Sequence, residues 1–149
     1  MTGMLGTVEL VGSGLVAGVL FAVALSMVPA LMAMPPDRYI YAHKLLGRNW
    51  DPTMPAIVLS SVLLDVVLVF VADGAGRWLF LASAALLFGV SVVSHLCNVP
   101  INKQMRELTP GALPADWQDP RPTWRSWHLL RTGLAIAALA VNAAAVALA

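Results

Sequence analysis

The chain has 149 residues, 59% of them hydrophobic and 11% charged, with a formal net charge of +1. A soluble domain usually carries about a quarter charged residues, so this composition excludes an ordinary soluble domain and makes the lipid bilayer the first expected partner. The single Cys97 excludes an internal disulfide and any multi-cysteine zinc or iron–sulfur centre.

Only helices or closed barrels satisfy every backbone polar group in lipid. No alternating pattern is long enough for a barrel strand, which predicts an all-α chain, a transmembrane four-helix bundle forming one membrane domain over residues 1–149. A span needs ~20 mostly apolar residues. The first is expected over about 8–34, closed by Pro35-Pro36, and the second over about 55–72, with Pro55 at its start. Asp73-Gly74-Ala75-Gly76 is a tight turn. The third span is expected over about 77–99, ending at Pro100, and the fourth over about 124–149. With no basic residue before it and a length beyond a typical signal-peptide core, the first span is expected to be a membrane span and not a cleaved signal.

Arg38, Lys44 and Arg48 lie between spans one and two. Lys103, Arg106, Arg121, Arg125 and Arg131 lie between spans three and four or just inside span four, and only Arg77 marks the opposite end. The positive-inside bias puts loops 35–54 and 100–123 in the cytoplasm and both termini outside, in a plasma membrane. Gly14, Gly18, Ala22, Ser26 and Ala30 recur every four residues in span one, a stripe of small residues expected to let another helix come close. Whether such faces also join protomers into a homo-oligomer is left open.

Ionisable groups inside a membrane are costly and raise a functional question. Asp65 sits mid-span, one turn from Ser61, as a proton acceptor, a metal ligand, the counter-ion of a buried base, or a protonated structural acid hydrogen-bonded to a neighbouring helix. Ser91, His95, Asn98 and Asn102 share one face of span three, and Trp124, His128, Arg131, Ala135, Ala138 and Asn142 share a stripe on span four. With His43 in the first loop, all three histidines fall at one end of the bundle. His95 and His128, with Asp65 below them, make a candidate two-histidine, one-carboxylate metal site. The alternatives are no cofactor at all, with His128 and Arg131 snorkelling at the interface. His95 and Cys97 face different ways on a helix, so a Cys–His nucleophile pair is not expected. No glycine-rich nucleotide loop follows a strand, and topology accounts for the basic loops, so nucleic acid is not an expected partner.

Asn98-Val99-Pro100-Ile101-Asn102-Lys103, then Trp124-Arg125-Ser126-Trp127-His128-Leu129-Leu130-Arg131-Thr132, resembles the anthrone oxygenase-like family. The pattern is an N-x-P-x-N element closing the third span and a W-x-x-W-H-x-x-R element opening the fourth; Pro29-Ala30-Leu31 at the end of span one is also similar. The resemblance implies a four-span membrane oxygenase, a monooxygenase-type oxidoreductase that converts a small hydrophobic aromatic with molecular oxygen, as some members convert polyketide anthrones to anthraquinones. It carries Asn98, Pro100, Asn102, Trp124, Trp127, His128 and Arg131 over as family positions. On that reading His95 or His128 is the base, Arg131, Asn98 and Asn102 hold the phenolate oxygens, and Trp124 and Trp127 stack on the substrate. Two other functions stay open from sequence: a non-catalytic binding or accessory membrane protein, and a proton or ion pathway through Asp65.

Overall fold

The computed structural model describes residues 2–148, apart from the Asp51 side chain. Among them there is no strand, and four helices are long and apolar enough to cross a membrane. In chain order the helices are α1 (Thr2–Ala33), α2 (Pro36–Gly47), α3 (Trp50–Val71), α4 (Gly74–Glu107) and α5 (Arg121–Leu148). Helix α5 packs against α4 and α1, and α3 packs against the same two, so α1 and α4 lie diagonally across the bundle. Ala149, expected to close the last span, lies outside the described residues.

Helices α3 and α4 outrun their expected ends because proline is accommodated inside them. Proline removes an N–H donor and pushes its ring against the carbonyl four residues back. Pro29 and Pro100 follow π turns at Val23–Met27 and Ser94–Asn98. Leu25 and Leu96, the residues whose carbonyls the rings would strike, lie inside those wider turns. The helix thus passes Pro100 and runs on to Glu107 instead of ending there. Pro55 is likewise inside α3, which begins a turn earlier, at Trp50. Between α3 and α4, Ala72 and Asp73 are extended and Gly74 adopts φ +58°, a conformation open to glycine without strain.

The small-residue stripe of α1 faces away from the bundle. Ala22, Ser26 and Ala30 are exposed, and a Cβ added at Gly14 or Gly18 would meet nothing within 4 Å. The inward face carries Gly6, Glu9, Ser13, Val16, Ala17 and Leu20. Glu9 and Ser13 would be costly in lipid, so the helix turns them inward and leaves the small residues outside. The inward stripe of α5 is the one its sequence periodicity predicts: Trp124, His128, Ala135, Ala138 and Asn142 are buried and Arg131 partly so.

The segments between spans are more structured than plain loops. Helix α2 buries Tyr39, Ile40 and His43 on one face against Val28, Leu31, Met105 and Trp124. Lys44 donates to the Leu108 carbonyl. Arg121 ties the first connection to the last. Its guanidinium donates to the Asp119 carboxylate (2.6–2.9 Å) and to the carbonyls of Leu31 (3.0 Å) and Met34 (2.6 Å), over the Tyr39 ring at 5.0 Å. It thereby satisfies carbonyls left open at the end of α1.

Candidate active site at the loop end of the bundle

A partly open cavity of about 130 Å³ lies at the end of the bundle that carries the long connections. Its apolar wall comes from α1 (Leu20, Val23, Met27), α3 (Met54, Val58) and α4 (Val90, Val99); its polar wall comes from His43, Ser91, Ser94, His95, Asn102, Trp124, His128 and Arg131. Five separate sequence segments thus meet here through the inward faces of the helices.

Trp124 is the hinge of the polar wall. Its ring stacks on His128 (centroids 5.3 Å apart, planes 12° apart) and meets His43 edge-on at 5.6 Å. Its Nε1–H donates to Asn102 Oδ1 at 3.0 Å, and the same oxygen pairs with His43 Nε2 at 3.1 Å. Since Asn102 Oδ1 can only accept, His43 carries its proton on Nε2 and its Nδ1 is a lone pair. Burial, foremost, holds the His43 pKa below its ordinary 6.5, and nearby Arg106 adds to the effect. Asn98 Nδ2 donates to the Trp124 carbonyl at 3.1 Å, fixing α4 to α5. Asn98 is fully buried, its Oδ1 has no partner, and it does not line the cavity.

The two histidines on the spans are in different states. His128 Nε2 lies 3.0 Å from the Leu20 carbonyl, so it donates there; its Nδ1 accepts from Arg131 Nη2 (2.9 Å) and Nε (3.2 Å). Both ring nitrogens are therefore engaged. His95 Nδ1 donates to the Ser91 carbonyl at 2.9 Å, leaving Nε2 as a lone pair with no hydrogen bond among the described residues. Arg131 also donates to Ser94 Oγ at 3.2 Å. No carboxylate among the described residues lies within ion-pairing distance of Arg131. Trp127, expected to stack on a substrate, is 38% exposed and does not line the cavity. It sits about 100° round the helix from His128.

Asp65 does not join the histidines. It is fully buried and shares the amide of Asn142 with Glu9: Asn142 Nδ2 lies 3.1 Å from Glu9 Oε1 and 3.4 Å from Asp65 Oδ2. Asn142 is fourteen residues beyond His128 on one helix, about 21 Å at 1.5 Å per residue. An apolar layer including Val16, Val58, Leu87, Val90, Ala135 and Ala138 intervenes. The expected grouping of His95, His128 and Asp65 around a metal is therefore not formed. No group of three or more His, Cys, Asp or Glu among the described residues could hold a metal ion. Glu9 escaped the sequence reading, although an acid inside the first apolar run was a visible signal for it. His43, expected in the first loop at this end of the bundle, lies on α2 and joins the cavity wall.

A family model described as Anthrone oxygenase matches residues 43–141, about two thirds of the chain. The chain belongs to the anthrone oxygenase family. The match spans every polar residue of the cavity wall, from His43 to Arg131, and stops short of Glu9 and Asn142. No curated protein and no solved structure matches this family member.

Proposed function

We propose that this anthrone oxygenase family member is a membrane oxygenase. Its substrate would be a small, flat aromatic of anthrone type, with an acidic methylene beside a conjugated carbonyl, and its oxidant molecular oxygen. The observation that carries the reading is Arg131. It is a cation in the polar wall of the cavity, facing the apolar wall, without a carboxylate partner among the described residues. Of five guanidinium N–H donors, His128 and Ser94 engage three, leaving two for an anionic oxygen.

His95 Nε2 is the base that takes the methylene proton, since His128 has no free nitrogen and the His43 ring is packed between Tyr39 and Trp124. Arg131 stabilises the resulting enolate or phenolate oxygen. His128 positions Arg131, and the Trp124–His128 stack gives the aromatic plane a wall to lie against. Asn98 and Asn102 act through Trp124, not on the substrate. The electron-rich carbanion reacts with oxygen to give a peroxide at the former methylene carbon. Loss of water from that peroxide leaves a carbonyl. The methylene loses two hydrogens and gains one oxygen atom, and the second oxygen atom leaves as water, so four electrons pass from carbon to oxygen.

The placement of Lys and Arg supports an orientation with the cavity end in the cytoplasm and both termini outside, in a plasma membrane. The apolar layer between the cavity and Asp65 favours this reading over a proton or ion pathway. The test is oxygen uptake by purified protein with dithranol, a dihydroxyanthrone. Wild type accelerates uptake, and His95→Gln and Arg131→Gln abolish the acceleration. Full activity in both variants overturns the assignment.

A further inference from the structure

The cavity is not closed by protein on one side. Three of its lining residues are exposed: Leu46 (42%), Trp50 (39%) and His95. They belong to the last turn of α2, the first turn of α3 and the π turn of α4, so the gap lies between the start of α3 and the widened turn of α4. On the α4 side the exposed side chains are apolar, Phe88, Val92 and Leu96, as is Leu45 beside Leu46, whereas Arg48 and Asn49, also exposed, lie on the connection between Leu46 and Trp50. His95 itself stands within a helix long and apolar enough to cross the membrane, between Val92 and Leu96. An opening onto water would not be collared by exposed leucine, valine and phenylalanine. Within a span, such a collar faces hydrocarbon.

Size sharpens the point. A cavity of about 150 Å³ lined by apolar side chains takes one benzene ring, and this one is about 130 Å³. A fused three-ring molecule fits only with one ring inside and the rest in the gap.

We propose that the gap bounded by Leu46, Trp50 and His95 is a lateral portal. Through it a flat apolar ligand passes directly from the bilayer into the cavity, and part of the ligand stays in it while bound. The proposal rests on the reading of the cavity as a substrate site. It puts the central ring at the mouth, with the reacting carbon toward His95 and the anionic oxygen, which lies across that ring at the same depth, toward Arg131. It also gives the protein a substrate class: molecules that dissolve in lipid and need never cross the aqueous phase.

The test uses the full chain in phosphatidylcholine vesicles, with Leu46→Cys in a Cys97→Ser background and a bimane fluorophore on the new thiol. Leu46 is exposed, so the variant keeps its fold. The portal predicts quenching by bromine atoms on the lipid chains and little by aqueous iodide. It also predicts that danthron, a dihydroxyanthraquinone, added to the vesicles shields the label from the bromines. Leu46→Trp narrows the gap in which part of the bound ligand sits, so it should slow danthron binding by about tenfold and raise Kd. Quenching by iodide and not by brominated lipid overturns the portal and leaves any oxygen uptake by wild type standing. Lipid quenching with danthron shielding, in a protein that shows no oxygen uptake, supports the portal and overturns the oxygenase reading.

Discussion

Asn98 and Asn102 look equivalent in the sequence, yet the structure predicts very different costs for losing them. Asn102→Leu removes the acceptor shared by Trp124 Nε1–H and His43 Nε2–H. Both partners are buried, at 7% and 8% exposure. Each stranded donor costs about 1–3 kcal/mol, so the pair costs about 2–6 kcal/mol. The lower half of that range applies, because Asn102 borders the open cavity and water can reach it. Asn98→Leu also removes one hydrogen bond, to the Trp124 carbonyl, with a net worth of about 0.5–1.5 kcal/mol. It simultaneously removes Asn98 Oδ1, a buried acceptor without a partner. Relief of that penalty offsets the loss, so the variant should lie within about 1 kcal/mol of wild type. The assay is the unfolding free energy in mixed micelles titrated with SDS and followed by tryptophan fluorescence. An Asn98→Leu cost equal to or above that of Asn102→Leu would refute the hydrogen-bond assignment around Trp124.

Three further outcomes follow from the same geometry. Arg121→Met removes the guanidinium donors to the Asp119 carboxylate and to the carbonyls of Leu31 and Met34, while the backbone N–H of residue 121 still reaches Asp119 and that of Met34 still reaches Leu31, and should cost about 1–3 kcal/mol in the same titration. The estimate is discounted because Asp119 is partly exposed. His43 is held neutral by burial, so its folded pKa lies below its unfolded 6.5 and the unfolded chain takes the proton first. Its contribution is whole above pH 6.5 and falls away as pH drops through the folded value; His43→Asn should flatten that part of the stability profile, measured against pH. Asn142→Leu leaves Glu9 and Asp65 buried without their common donor and should cost about 2–4 kcal/mol, with oxygen uptake per folded molecule unchanged.

The spans were legible in the sequence because lipid demands a run of apolar residues, a one-dimensional signal. The inward stripe of α5 was legible for a similar reason, since helical periodicity groups Trp124, His128, Ala135 and Asn142 on one face. Helix ends were less legible. Pro55 and Pro100 read as boundaries, and nothing in the chain announces that a π turn will carry the helix past Pro100. The level at which two helices meet was not legible at all. Asp65 was placed beneath the histidines because it is mid-span, but the register of α3 against α5 sets it beside Asn142. The stripe of α1 misled because close packing was weighed without the competing demand of Glu9, an acid that must leave the lipid. Residue types grouped the three histidines at the end of the bundle that holds the cavity. Which histidine keeps a free nitrogen depends on cross-helix contacts, such as His128 with the Leu20 carbonyl, that no spacing encodes.

The central claim is that the cavity puts an oxygen atom from molecular oxygen onto an acidic methylene. It is tested most directly by isotope: dithranol supplied to the protein in vesicles under heavy-isotope oxygen gas in ordinary water. One heavy oxygen atom is expected in each quinone product, formed faster than in empty vesicles, with the acceleration falling by about 10²–10³ in Arg131→Gln. Product formed no faster than in empty vesicles would contradict it.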